Sequence, residues 1–445
     1  MAGGLMQLVA YGAQDVYLTG QPKVTFFQAV YKRHTNFAME NIQQTVNGTA
    51  TNSGRVSVTI ARNGDLVGNM YVALLASIQN GSNCTSTNAN FDSCWMAERA
   101  VAAVELTIGG QRIDKHYQTW FRLYAEVFLG ESDKIAYGKL TSSPQPVSDS
   151  TTNKTYVYLP LLFFFNRNPG LYLPLIALQY HEVRLDFDLT PYIQSYFGSS
   201  PTFEVWANYV YLDTEERRRF AQKGHEYLIE QVQHTGGDAL SSTSSTVRLS
   251  FNHPVKELIW CYQNGTTSAT TNLNAMWNFS SNTANVNVTC NVSPAVLGSV
   301  LPHVAGAPHL FSNVGGYAGQ AVTSNVFWIE EGSAASGYEV GPLQNFKVIL
   351  NGQDRFKEQL GKYFNVYQPY VYHTGTPYPG IYCYSFALQP EEHQPTGTCN
   401  FSRIDNAQVA INMKTINPSS LQKMFAVNYN ILRIQSGMGG LAFSN

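Results

Sequence analysis

The amino-acid sequence predicts an all-β protein built from two consecutive β domains with a few short helices. The 445-residue chain contains 27 Tyr, 24 Phe and 35 Gly and is only 13% charged, a composition typical of strands and turns. Several short segments alternate apolar and polar residues, which is the period of a half-buried strand. Two motifs also recur in the same order in both halves of the chain, which indicates a duplicated domain.

The first 25 residues, MAGGLMQLVAYGAQDVYLTGQPKVT, are apolar and rich in glycine. They lack the basic start of a signal peptide, and Gln7, Gln14 and Asp15 interrupt the apolar run. The second apolar stretch, YLPLLFFFNRNPGLYLPLIALQY, is interrupted at residues 166–169, so neither stretch offers the roughly 20 consecutive apolar residues of a membrane span. We therefore expect a protein that does not span a membrane and that retains its N-terminal segment.

Strands are predicted where alternation is clearest. The segments RVSVTIA, FEVWANYVYL and AVNYNILRI each have one apolar face. The apolar residues are Val56, Val58 and Ile60 in the first segment, Phe203, Val205, Ala207, Tyr209 and Tyr211 in the second, and Val427, Tyr429 and Ile431 in the third.

Three helices are predicted. HYQTWFRLYAEVF and RFKEQLGKYF place aromatic and aliphatic residues at helical spacing. In DTEERRRFAQKG, Asp213 suits the N-cap, Glu216 follows three residues later as in a capping box, and Gly224 suits the C-terminal end. This charged helix lies near the middle of the chain, so we interpret it as the link between the two domains.

The repeat consists of VELTIGGQRIDKHY and FKVILNGQDRFKEQ, each a strand followed by a glycine turn and a glutamine, and of an Ala-Leu-Gln at Ala177 and Ala387. With the linking helix, it predicts an N-terminal arm at residues 1–25, a first domain at 26–212, the helix at 213–224 and a second domain at 225–445. The polar segment at residues 131–155 is predicted to be turn-rich. A second polar segment, at residues 264–293, is dominated by Asn, Thr and Ser and is predicted to lie at the surface.

Charge and cysteine content exclude several functions. The net charge of −2 lacks the basic excess of a protein that wraps nucleic acid, so no direct genome binding is expected. The six cysteines form no C-x-x-C pair, which gives little support to a zinc site or a disulfide framework. We expect buried thiols, while a disulfide between Cys84 and Cys94 stays open as an alternative.

No catalytic, cofactor or metal site is predicted. The strongest candidate is QYHEVRLDFD, in which His181, Glu182, Asp186 and Asp188 are close in sequence. Neighbouring residues of a strand point to opposite faces, so His181 and Glu182 do not converge, and we favour a solvated strand face. The glycine-rich segments GGYAGQ and SGMGGLAFSN do not match a phosphate loop, and no G-x-S-x-G motif is present. The basic cluster ERRRF is interpreted as the exposed side of the linking helix, paired with Glu215 and Glu216 or with a neighbouring subunit.

Motifs along the whole chain resemble the major capsid proteins of nucleocytoplasmic large DNA viruses, and most closely the algal-virus branch (phycodnaviruses, chlorovirus type). The resemblance rests on GGLMQLVAYGAQDVYLTGQPKVTFF, YKRHTNFAME, IGGQRIDKHY, FFFNRNPGLYLPLIALQYHEV, LNGQDRF, GTCNFSRIDNA and LRIQSGMGGLA. It implies a double jelly roll, two consecutive eight-stranded antiparallel β-sandwiches. It also implies a homotrimer that forms a pseudo-hexagonal capsomer in an icosahedral virion shell.

The resemblance further implies contacts with neighbouring capsomers and with minor capsid proteins beneath the shell, over an inner membrane that the chain does not span, and assembly in the host cytoplasm. Some relatives carry glycans on exposed loops, so the candidate glycosylation sites are Asn264, Asn278, Asn287, Asn291, Asn400 and Asn406; all but Asn406 lie in sequons. Two alternatives stay open: a minor capsid paralogue of the same fold, and a carbohydrate-binding β-sandwich that uses Trp95 and Trp277 as exposed aromatic platforms.

Overall fold

Strands dominate the structure, a computed structural model that describes residues 12–14, 21, 33–76, 95–142, 155–263, 277, 279, 341–414 and 420–443. Among the described residues, ten strands lie before the linking helix: β1 Phe37–Gln44, β2 Val46–Asn47, β3 Arg55–Thr59, β4 Leu66–Ala76, β5 Val101–Ile108, β6 Gln111–Tyr117, β7 Thr155–Pro160, β8 Leu173–Pro174, β9 Val183–Leu189 and β10 Phe203–Leu212. The part of the chain that the structure describes after this helix contains eleven more: β11 His225–Leu240, β12 Ser244–Leu249, β13 Pro254–Gln263, β14 Leu343–Leu350, β15 Gln353–Asp354, β16 Gln359–Leu360, β17 Ile381–Ser385, β18 Cys399–Asn400, β19 Ala407–Met413, β20 Ser420–Gln435 and β21 Met438–Leu441.

The α-helices of the described residues are short: α1 Gln118–Phe128, α2 Glu131–Thr141, α3 Phe164–Arg167, α4 Ile193–Phe197, α5 Thr214–Gln222 and α6 Gln368–Tyr372. A π-helical turn, Tyr363–Tyr367, leads directly into α6. Single 3₁₀ turns lie at Ala97–Arg99, Pro169–Leu171, Leu175–Ala177 and Phe401–Arg403. Helix α2 is a correction, because its sequence belongs to the segment predicted to be turn-rich.

The described strands form four antiparallel sheets, which pack as two sandwiches with the same strand order. Sheet A is ordered β1-β10-β4-β7, and sheet B is ordered β2-β3-β9-β5-β6. Sheet C is ordered β11-β20-β13-β17, and sheet D is ordered β12-β19-β14-β15. Each half has eight main strands if β2 and β3 count as one strand and the short strands β8, β16, β18 and β21 are left out. When these eight are numbered in chain order, the two sheets of each half are ordered 1-8-3-6 and 2-7-4-5. This order defines a jelly roll, and the chain therefore contains two in succession.

The predicted repeat corresponds to the same hairpin in both jelly rolls. Gly109 and Gly110 join β5 to β6 with φ of +57° and +82°, and Asn351 and Gly352 join β14 to β15 with φ of +50° and +80°. Positive φ at both central residues is the geometry of a type I′ turn, which matches the twist of the flanking strands. Glycine and asparagine are the residues that tolerate this conformation, which explains why they recur here.

The predicted strands form, and their burial shows where the cores lie. Val56, Val58 and Ile60 are buried, as are Val205, Ala207 and Tyr209 in β10. Strand β20 departs from its predicted alternation, because every residue from 424 to 430 is buried. A strand buried on both faces has a core on each side, and here the second core is the contact with the other jelly roll.

Helix predictions gave mixed results. The first helix is confirmed as α1, and the linking helix is confirmed as α5, with Asp213 at the N-cap position but without a hydrogen bond from its side chain. The helix predicted from RFKEQLGKYF is wrong, because Gln359–Leu360 pairs with β14 and helical backbone begins only at Gly361. Residues Ala38–Asn445 form one compact unit that contains both jelly rolls, and Met1–Phe37 form another.

Candidate assembly surfaces and the domain junction

The two jelly rolls meet through the outer face of sheet C. Ile259, Cys261, Cys383 and Phe425 point away from the core of the second sandwich and are at most 1% exposed. They belong to the same buried cluster as the core of the first sandwich, whereas Trp260 and its neighbours form the separate core between sheets C and D. We call this contact the domain junction.

Helix α1 supplies the first jelly roll's side of the domain junction. The ring of Trp120 lies 5.5 Å from that of Phe425, and the ring of Phe128 packs edge-on at 5.3 Å from that of His373. Lys423 Nζ donates a hydrogen bond of 3.1 Å to Thr119 Oγ1. The contact is therefore mainly aromatic, and aromatic pairs contribute about 0.5–1.5 kcal/mol each beyond area burial.

A largely buried charge cluster joins α1 to its neighbours in the first jelly roll. Arg122 has one guanidinium nitrogen 3.5 Å from Glu98 and another 3.0 Å from Glu126, and Lys134 lies 3.6 Å from Glu126. Tyr137 donates a hydrogen bond of 2.8 Å to Glu98. Burial raises the pKa of Glu98 to about 7, although Arg122 and Tyr137 act in the opposite direction. Burial by itself would lower the pKa of the Arg122 guanidinium. The carboxylates of Glu98 and Glu126 raise this pKa by a larger amount, so the net shift is upward.

A second charge cluster crosses the domain junction. Glu230 of β11 lies 2.7 Å from Lys256 Nζ of β13 and 3.1 Å from Arg167 of the first jelly roll. Burial would raise the pKa of Glu230, but His393, Arg167 and Lys256 together lower it to about 2. These groups line a cavity of about 360 Å³. Because Lys256 is 1% exposed, its charge depends on Glu230 for compensation.

A third cluster centres on His373. Its Nε2 lies 3.0 Å from Glu257 Oε2, and its Nδ1 lies 3.3 Å from Glu391 Oε1. Burial would lower the pKa of His373, but Glu257, Cys383 and the remaining contacts raise it well above the ordinary value. Burial raises the pKa of the Cys383 thiol, which therefore stays protonated at neutral pH. Among the described residues no group of three His, Cys, Asp or Glu is placed to hold a metal ion.

Backbone contacts complete the domain junction at two edges. Val232 N of β11 donates a hydrogen bond of 3.1 Å to Asp114 Oδ1 of β6, and Gln231 Nε2 donates to the carbonyl oxygen of Ile113. At the other edge, Gly439 N donates a hydrogen bond of 3.2 Å to His181 Nδ1. Together with the second charge cluster, these bonds can hold the two jelly rolls in one fixed orientation.

The predicted glycosylation sites fall into two groups. Asn264, Asn278, Asn287 and Asn291 lie outside the described residues, as do Cys84 and Cys94. Asn400 and Asn406 are exposed in the second jelly roll. The side chain of Asn400 accepts a hydrogen bond of 3.0 Å from Ser402 N, and the backbone N of Asn406 donates to Asn351 Oδ1 at 3.0 Å.

The segment QYHEVRLDFD was the strongest catalytic candidate in the sequence, and in the structure its aspartates form ion pairs. Asp186 accepts from Arg184 at 2.7 Å and lies 3.4 Å from Arg55, and Asp188 lies 3.8 Å from both Arg55 and Lys115. His181 is directed to Gly439 instead.

In the basic cluster, Arg217 pairs with Asp65 at 2.9 Å rather than with Glu215 or Glu216. No helix within the described part of the chain is long and apolar enough to cross a bilayer.

The basis of the carbohydrate-binding alternative is wrong. Trp95 is 6% exposed and lies under the guanidinium of Arg122, with 3.9 Å between the Arg122 Cζ and the ring centroid. Trp277 is 1% exposed. Polar flanking sequence had suggested surface loops, but both indoles are buried and neither can serve as a platform for a sugar.

Sequence reasoning missed one exposed apolar surface. The π-helical turn and α6 present Val366, Tyr367, Tyr370 and Val371, which are 42%, 54%, 84% and 47% exposed. Contiguous exposed apolar groups mark contact sites between proteins. We call these four residues the helix surface. A signal existed in the sequence, because WFRLY in α1 and YFNVY at residues 363–367 share one pattern.

Comparison with known proteins identifies the class to which this architecture belongs. The crystal structure of PBCV-1 VP54 superposes with a TM-score of 0.72 and 37% sequence identity, covering 95% of this chain and 100% of that one. This likeness makes the chain a double jelly-roll viral capsid protein.

The particular family follows from the sequence. Residues 25–213 match "Major capsid protein N-terminus", and residues 216–440 match "Large eukaryotic DNA virus major capsid protein". The major capsid proteins of Paramecium bursaria Chlorella virus 1 and Phaeocystis pouchetii virus are 43% and 38% identical, with 100% of each chain covered. The chain belongs to the family of major capsid proteins of large eukaryotic DNA viruses and is a structural component of the virion. The predicted resemblance, fold and function class are confirmed.

Proposed function

We propose that three copies of the chain associate into a pseudo-hexagonal capsomer and that such capsomers tile an icosahedral shell. The observation that carries this proposal is the pair of jelly rolls with identical strand order held by one buried junction. Three copies then present six similar domains around one axis. The 37%-identical PBCV-1 protein, which is part of a quasi-atomic capsid structure, supports the assignment. Native mass spectrometry tests it, and a protein that stays monomeric at micromolar concentration would contradict it.

The proposed parts of the capsomer follow the sequence boundaries. Residues 1–25 are an arm toward neighbouring subunits and minor capsid proteins below the shell. Residues 26–212 and 225–445 are the jelly rolls, and residues 213–224 are the linking helix. Deleting Met1 to Gln21 should leave a folded trimer that assembles poorly into shells. A truncated chain that fails to fold would show that these residues belong to a core.

The protein's role in this proposal is structural rather than enzymatic. Assembly takes place in the host cytoplasm, over an inner membrane and without direct contact with the genome. Glycans are proposed on one or more of the six candidate asparagines. Exposure of Asn400 and Asn406 supports these two positions, because a glycan must stay in water. Peptide mass spectrometry of capsid from purified particles tests this, and unmodified peptides covering all six sites would contradict it.

A further inference from the structure

The two jelly rolls carry equivalent helical segments between equivalent strands. In the first, α1 follows the β5–β6 hairpin and precedes β7; in the second, residues 363–372 follow the β14–β15 hairpin and precede β17. The sequences WFRLY and YFNVY align Trp120 with Tyr363 and Tyr124 with Tyr367. Continuing this alignment without a gap, Val127 corresponds to Tyr370 and Phe128 to Val371.

The equivalent residues differ sharply in burial. Leu123 and Val127 of α1 are fully buried, whereas Val366 and Tyr370, which occupy the same aligned positions, are 42% and 84% exposed. Stacking inside the two segments is similar, because Tyr124 stacks on Phe128 at 4.8 Å and Tyr363 stacks on Tyr367 at 5.3 Å. The two segments also differ in their partners: Trp120 and Phe128 of α1 contact Phe425 and His373 across the domain junction, while the helix surface is open in the single chain.

Sheets A and C show the reciprocal difference. Strands β4, β7 and β10 of sheet A hold the positions that β13, β17 and β20 hold in sheet C. The outer face of sheet C is buried in the domain junction. The outer face of sheet A carries Tyr71, Tyr156, Tyr158 and Trp206, which we call the aromatic sheet surface. Tyr71 pairs across strands with Trp206, Ala73 pairs with Tyr158, and Tyr71 and Tyr158 make an edge-to-face contact at 5.6 Å.

We propose that the helix surface packs on the aromatic sheet surface of a second copy of the chain, in the way that α1 packs on sheet C within one chain. This inference rests on the proposed trimer and names its contact. One subunit gives its helix surface and receives the next subunit's on its sheet, so the interface is head-to-tail and can close into a ring. The intrachain junction provides the template, since both surfaces continue the packing already made between equivalent elements. Tyrosine and tryptophan are also the residues enriched in strong protein contacts.

Charge substitution on each surface tests the contact. Tyr370→Glu and Tyr156→Glu place a carboxylate at the two most exposed positions of the two surfaces, and Leu388→Glu is the matched control because Leu388 is 74% exposed and belongs to neither surface. We expect the two test variants to need at least tenfold higher concentration for trimer formation by light scattering, with unchanged circular dichroism. Leu388→Glu should behave like the wild type.

A cross-linking experiment gives a second measure. A chain that carries both Tyr370→Cys and Tyr156→Cys should give covalent trimers with a short bismaleimide, whereas each single variant should not. Two results would overturn this contact while leaving the proposed trimer intact, provided that the wild-type protein is trimeric. In the first, the glutamate variants trimerise as the wild type does; in the second, the double cysteine variant gives no covalent trimer. A monomeric wild type would overturn both.

Discussion

His373 Nε2 lies 3.0 Å from Glu257 Oε2, and both side chains are fully buried. The imidazole also lies 3.3 Å from Glu391 and packs against Phe128 of the first jelly roll. The ion pair fixes the segment before β17 to β13, and the ring of His373 makes that segment's contact with Phe128 of α1. It also makes the domain junction depend on a proton, since an uncharged imidazole would leave Glu257 without a cation.

Alkaline pH should weaken the domain junction. Because Glu257 raises the pKa of His373 well above the ordinary value of 6.5, the folded chain holds this proton more tightly than the unfolded chain. The stabilisation is complete below pH 6.5 and is lost as the pH rises through the folded-state pKa. Urea unfolding at increasing pH should show the loss.

The variant His373→Gln should be destabilised by about 3 kcal/mol at neutral pH, because it leaves Glu257 buried and unpaired. It should also lack most of the alkaline loss, and Glu257→Gln/His373→Gln should recover part of the stability. A wild-type stability that does not change between neutral and alkaline pH would contradict the assignment of a charged His373.

Acid should weaken the domain junction at Glu230. Its pKa is lowered to about 2 in the folded chain from an ordinary value of 4.5. The resulting stabilisation is present above pH 4.5 and disappears as the pH falls toward 2. Glu230→Gln should cost about 3–5 kcal/mol at neutral pH, because Lys256 would lose its compensating charge. Calorimetry of both proteins measures this, and equal stability at neutral pH would count against the ion pair.

Glu98 and Glu126 should respond in opposite ways to neutralisation. The pKa of Glu98 is raised to about 7, so its ionisation opposes folding and this cost grows as the pH rises from 4.5 to 7. Glu98→Gln should therefore flatten the pH dependence in this range and leave stability above pH 7 equal or higher. Glu126→Gln is the matched comparison and should destabilise, because Glu126 contacts both Arg122 and Lys134. Equal losses in the two variants would contradict this distinction.

The linking helix should depend on Asp65 more than on its own arginines. Arg217 makes two hydrogen bonds to Asp65, of 2.9 and 3.1 Å, but its side chain is 52% exposed. Arg217→Ala should therefore cost less than about 1 kcal/mol. Asp65→Ala should cost about 1–3 kcal/mol, because it also leaves the half-buried backbone N of Leu212 without its acceptor. Arg218→Ala is the control for the helix itself. Thermal unfolding should show the smallest loss of stability for Arg218→Ala, a larger loss for Arg217→Ala and the largest for Asp65→Ala.

Local patterns in the sequence predicted local structure well. Alternation located β3 and β10, and the paired glycine turns located the two hairpins, because both signals depend on neighbouring residues. The helix predicted at residues 355–364 failed for a different reason. Phe356, Leu360 and Tyr363 have helical spacing, but pairing of Gln359–Leu360 with β14 takes precedence.

The domain junction could not be read from the sequence in the same way. Arg167 and Glu230 lie 63 positions apart (230 − 167) and belong to different jelly rolls. Nothing in the local pattern around either residue indicates its partner. The strand β20 shows the same limit, since its alternation is obscured where both faces are buried. What the sequence did contain was the shared pattern of WFRLY and YFNVY, which marks the equivalent helical segments.

Gly375 should be among the least replaceable residues of the domain junction. A Cβ at this position would lie 2.6 Å from the carbonyl oxygens of Val127 and Leu129 at the C-terminal end of α1. These are backbone atoms, so relief requires movement of the helix end or of the segment that carries Gly375. Gly375→Ala should therefore destabilise the protein by about 1–3 kcal/mol. Gly130→Ala is the matched control, because its nearest contact would be Asp133 Oδ2 at 4.0 Å, and it should stay within about 0.5 kcal/mol of the wild type. Urea unfolding of the three proteins gives the comparison, and a Gly375→Ala variant as stable as Gly130→Ala would show that the two jelly rolls do not approach each other this closely.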